Sequence, residues 1–90
     1  MNKTPLSMLQ QLMILTAEEC GELTQRCSKI LRRYQYIYEI EEEQREKFLE
    51  EVGDVYCMIQ LLVEHDVVTW DEVKNRKDFK KLKLKTWSDL

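Results

Sequence analysis

Apolar residues return every three or four positions along most of this chain, and almost nothing interrupts them. Leu6, Leu9, Leu12, Met13, Cys20, Leu23, Cys27, Ile30 and Leu31 fall on one broad helical face when successive residues are turned by about 100°. Phe48, Leu49, Val52, Val55, Tyr56, Ile59, Leu62 and Val63 repeat the spacing, the mark of a second amphipathic helix. Only two glycines and one proline occur in 90 residues, so the fold class is all-α. Thr4-Pro5 has the form of a helix start, because proline in the first helical position gives up no needed hydrogen bond. Helix one is thus expected from about residue 5 to 33 and helix two from roughly 42 to 64. A tyrosine-rich connector, Tyr34 to Ile40, separates them, and His65–Val68 reads as a turn. Thr69 and Glu72 have the spacing of a capping box and start a third helix near residue 70, ending past Leu82. No linker or low-complexity tract divides the chain, so residues 1–90 are read as a single helical domain. The expected protomer has three helices, the two long ones antiparallel.

A domain this small buries only about two-thirds of the surface its unfolded chain exposes. Disulfides, metals or oligomerisation are the usual supplements. The three cysteines are odd in number, include no CxxC pair, and follow no recognisable signal peptide. They are expected to be reduced thiols packed as small apolar residues, in a cytoplasmic protein. No apolar run approaches the roughly 18 residues of a membrane span. The net charge of −3 is unevenly spread, with glutamates dominating 39–51 and lysines with arginine crowding 74–85. The basic segment alone favours nucleic acid, but the chain as a whole is acidic, so nucleic acid is not an expected partner.

One six-residue pattern occurs twice. Glu18-Glu19-Cys20-Gly21-Glu22-Leu23 is echoed by Glu50-Glu51-Val52-Gly53-Asp54-Val55, 32 residues later. Residues three apart on a helix are surface neighbours, with about 5–6 Å between Cβ atoms. Glu19 with Glu22 and Glu51 with Asp54 therefore form two carboxylate pairs, each beginning beside the apolar stripe of its helix. If the stripes pack antiparallel, the pairs face each other at the edge of the core. Four carboxylates in one place repel and raise one another's pKa values, a penalty that a divalent cation removes. Oxygen ligands in this number suit magnesium, or manganese in its place. A di-iron centre would need Glu-x-x-His on two helices, and the only histidine, His65, lies outside both motifs. Acids on exposed helix faces are common, but two copies of one pattern bordering two apolar stripes are harder to produce by accident.

These residues resemble the motif of the MazG-type nucleotide pyrophosphohydrolases, EExxE followed after a gap by ExxD. Here it comprises Glu18, Glu19 and Glu22, then Glu51 and Asp54. The resemblance covers about Leu12 to Leu62, and the short chain and its Trp87-Ser88-Asp89 tail are similar to phage-encoded members, which implies a host cytoplasm. It implies that Glu19, Glu22, Glu51 and Asp54 are magnesium ligands and that Glu18 belongs to the catalytic set. The implied reaction is attack of metal-activated water on the α-phosphorus of an NTP or dNTP, giving the monophosphate and pyrophosphate. It also implies self-association into a dimer or a dimer of dimers, whose helices complete four-helix bundles.

Triphosphates need cations as well. Lys29 lies two turns beyond Glu22 on nearly the same face, and Arg33 flanks that line. Arg26 is placed to pair with Glu22, four residues away. The third-helix cations, Lys77 and Lys81 among them, are candidates to close over phosphates from the same or a neighbouring chain. Asn75 and Tyr34 are candidates for base or sugar contact; Trp70 and Trp87 suit interface or core better. The alternative is a non-catalytic helical oligomerisation or interaction module, in which the repeated acids only keep two bundle helices soluble.

Overall fold

The computed structural model describes residues 5–90, which form three α-helices and one short 3-10 turn. Helix α1 is Met8–Arg33, α2 is Glu42–Glu64 and α3 is Trp70–Leu84, with the 3-10 turn at Ile37–Glu39. No strand occurs among the described residues. The all-α reading holds, as do the bounds of α2 and the start of α3.

The start of α1 differs from expectation. Thr4 lies outside the described residues, and the helix begins at Met8 rather than at residue 5. Ser7 sets that boundary. Its hydroxyl accepts from the Gln10 amide at 3.1 Å, while the Gln10 side-chain oxygen accepts from the Ser7 amide at 2.9 Å. Two of the amides that a helix start leaves unpaired are thereby satisfied. Arg32 and Arg33 occupy the last turn, where positive charge suits the helix dipole. In the connector, the Glu39 carboxylate accepts from the amides of Gln35 and Tyr36 at 3.0 and 2.7 Å. The expected capping box of α3 is present, with the Thr69 hydroxyl accepting from Glu72 N–H and the Glu72 carboxylate accepting from Thr69 N–H.

Helix α2 ends in a Schellman turn. The Val67 amide donates to Leu62 O at 2.9 Å and the Asp66 amide to Val63 O at 3.0 Å. The geometry puts Asp66 at φ 59°, a left-handed position that glycine occupies at least cost. Asp66→Gly is therefore expected to stabilise the fold by about 0.5 kcal/mol, read as a rise in the urea midpoint with unchanged slope.

Helices α1 and α2 pack against each other along an antiparallel seam, and this is the only extensive helix pairing among the described residues. On α1 the seam follows Leu12, Thr16, Glu19, Leu23, Arg26 and Ile30; on α2 it follows Gln44, Phe48, Glu51, Val55, Met58 and Leu62. Both alternate by threes and fours, as left-handed paired helices require. The seam is narrower than the apolar stripes. Among the described residues only Leu12 and Met58 are buried apolar residues, each 5% exposed, while Leu9, Met13, Leu49, Val52 and Tyr56 stay exposed. Cys20, Cys27 and Cys57 are free thiols and all exposed, so in the single chain they are not packing residues. The seam passes through Glu19, Leu23, Arg26 and Ile30 instead.

Helix α3 lies apart from this pair. It touches α2 near its start, where Trp70 and Tyr56 rings lie 6.2 Å apart. The radius of gyration is 16.1 Å, against about 12 Å for a compact chain of this length. Among the described residues no helix is long and apolar enough to cross a membrane.

Candidate metal centre

Glu19 and Glu51 sit in the α1–α2 seam, at positions where the repeat would otherwise place apolar side chains. Glu22 and Asp54, one turn further along each helix, point to the exposed margin. The antiparallel packing brings the pairs together: one carboxylate oxygen from each of the four lies within 4.8 Å of the other three. Sequence spacing places these acids at the edge of the core. The structure moves Glu19 and Glu51 inward, and the chemistry changes accordingly.

One oxygen of Glu19 and one of Glu51, Oε2 in both, are buried without a hydrogen-bond partner. Buried acceptors left unpaired are costly and call for a partner. The Glu19 carboxyl is held above its ordinary value of 4.5, first by burial and then by the charges of Glu22, Asp54, Glu51 and Glu18. Arg26 supplies part of the compensation. Its Nη2 lies 3.9 Å from Glu51 Oε1, with both side chains about 15% exposed. The sequence suggests Glu22 as its partner; the structure gives it Glu51, because Arg26 is a seam residue and faces across to α2. One guanidinium does not balance four carboxylates. The oxygen-only donor set, the close approach and the two orphaned oxygens fit a hard divalent cation.

The other candidates are scattered. Glu18 is exposed beside the cluster, and its charge helps raise Glu19. Lys29 is exposed on the same helix and forms no ion pair among the described residues. Arg33 lies over the Tyr34 ring, 5.6 Å from its centroid. The Tyr34 hydroxyl is buried and unpartnered, while Tyr36 and Tyr38 stack on each other at 5.5 Å. Asn75, Lys77 and Lys81 are exposed on α3, with Lys77 paired to Asp78 at 2.7 Å. Helix α3 is rooted beside Tyr56, which points about 160° around α2 from Asp54. The third-helix cations of one chain thus start on the far face from its own carboxylates. Trp87 is 78% exposed, so it is not a core residue of the single chain.

Comparison of the chain with known protein families, with curated proteins and with solved structures finds no match.

Proposed function

We propose that this chain is a magnesium-dependent nucleoside triphosphate pyrophosphohydrolase, with manganese as a substitute cation, acting as a homo-oligomer. The observation that carries this reading is the convergence of Glu19, Glu22, Glu51 and Asp54 within 4.8 Å, two of them with buried, unpaired oxygens. A cation bound there would neutralise phosphate charge and lower the pKa of a water nucleophile. The protein's own groups hold and orient. Glu19 and Glu51 are fixed by the seam, Arg26 braces Glu51, and Glu22 and Asp54 stand at the open margin where a phosphate can approach. Glu18, exposed next to Glu19, is placed to position water. Lys29, unpaired on the same helix, is the first choice for contacting phosphate, and Arg33 the second. Lys77, Lys81 and Asn75 would serve a site only from another copy. Tyr34 offers its ring and its unpartnered hydroxyl to sugar or base.

The expected outcome with magnesium and a panel of NTPs and dNTPs is equal release of monophosphate and pyrophosphate, abolished by EDTA. Release of diphosphate and orthophosphate would sink the assigned bond. A second reading, the non-catalytic helical interaction module, is favoured by the exposed apolar residues of α1 and α2; absence of turnover with every triphosphate would select it.

A further inference from the structure

Two segments of opposite charge do not meet within one chain. Residues 39–51 carry seven glutamates against Arg45 and Lys47, and residues 74–85 carry seven lysines and arginines against Asp78 alone. Among the described residues the only ion pair of α3 is internal, Lys77 with Asp78. Next to the acidic start of α2 lies an apolar hollow of about 390 Å³, lined by Cys27, Ile30, Leu31, Ile40, Arg45 and Phe48. Helix α3, in turn, displays Phe79 and Leu82 among its lysines, 52% and 67% exposed. They lie three residues apart and so share a face.

We propose that α3 of a second copy docks on this hollow, seating Phe79 and Leu82 against Phe48 and Ile30 and setting its lysines beside Glu42, Glu43 and Glu46. Beyond the Trp70–Tyr56 contact at its start, the chain's own α3 has no extensive packing on either long helix among the described residues, although its charge matches the site. Both halves of the contact belong to one sequence, so a two-fold pair forms it twice, as isologous association requires. The acidic and basic segments then neutralise each other across the interface, which steers encounter and fixes register. This contact is independent of the catalytic reading.

Cys27 provides the test, because it lines the hollow. In a chain carrying Cys20→Ser, Cys57→Ser and Phe79→Cys, mild oxidation is expected to give a disulfide-linked dimer. A disulfide needs Cα atoms within about 7 Å, so the bond reports seating directly. Cross-linking should exceed that of Lys81→Cys, on the opposite side of α3, by at least about tenfold, as local concentration dictates. Lys80→Glu with Lys83→Glu should abolish the advantage, and a partner chain carrying Glu42→Lys and Glu46→Lys should restore it. An internal disulfide in a monomer, cross-linking no faster than the Lys81→Cys control, or indifference to the charge reversals would each overturn the proposal.

Discussion

Replacing Glu51 by glutamine is expected to reduce pyrophosphate release by at least about 100-fold while leaving the helical circular-dichroism signal intact. Loss of an outer-shell partner alone costs about 10- to 100-fold at metal sites, and Glu51 is proposed here as a ligand. It is also the residue that Arg26 braces, at 3.9 Å, and the owner of an unpaired buried oxygen. The amide keeps the volume, so the seam with Val55 and Met58 survives, but it removes the charge that attracts a cation. Arg26 then lacks its partner, and Arg26→Met combined with Glu51→Gln should fold no worse than Glu51→Gln alone. Retained turnover in Glu51→Gln would show that the hydrolytic centre lies elsewhere.

The second large effect is a link between pH, divalent cation and stability. Folding raises the Glu19 pKa above 4.5 by burial and by the neighbouring carboxylates. The folded state therefore holds this proton more tightly than the unfolded state does. The stability it contributes is complete below the unfolded value and is lost as pH rises through the folded one. Without metal, the thermal midpoint should fall across that window, and Glu19→Gln should flatten the fall. Magnesium is expected to act in the opposite direction, because under the proposed function it would bind the ionised carboxylates. At 100 times its dissociation constant a ligand contributes about 2.7 kcal/mol, which for a domain of this size corresponds to roughly 10–20 °C. The magnesium-induced shift should grow with pH over the same window and vanish in Glu51→Gln. A shift independent of pH, or unchanged in the variant, would remove the four-carboxylate site from the account.

Much of this arrangement is legible in the residues, and the misses have physical causes. The period of Phe48, Val55, Ile59 and Leu62 marks α2, and Thr69 with Glu72 marks the start of α3, because both signals are local. The start of α1 is less legible: Pro5 offers one boundary and the Ser7–Gln10 capping box another, and the box satisfies more amides. The doubled acidic motif points to one cluster, but helical spacing alone places all four acids at the edge of a broad stripe. Which part of that stripe becomes the seam depends on the facing helix. Only the packed pair shows that Glu19, Arg26 and Glu51 lie inside it while Leu9, Met13 and Cys20 lie outside. Residues on α3 are the hardest to place. Its direction is set by the Asp66 turn and the Trp70–Tyr56 contact, and neither is visible in the charge pattern that singles out Lys77 and Lys81.

Titration with manganese, followed by the loss of the free-ion electron paramagnetic resonance signal, reads cation binding at the four carboxylates without recourse to turnover. Saturable binding to the wild-type chain is expected, competed by magnesium and lost in Glu51→Gln with the helices retained. A wild-type chain that leaves the free-ion signal undiminished, or binding that survives in Glu51→Gln, would contradict the four-carboxylate site.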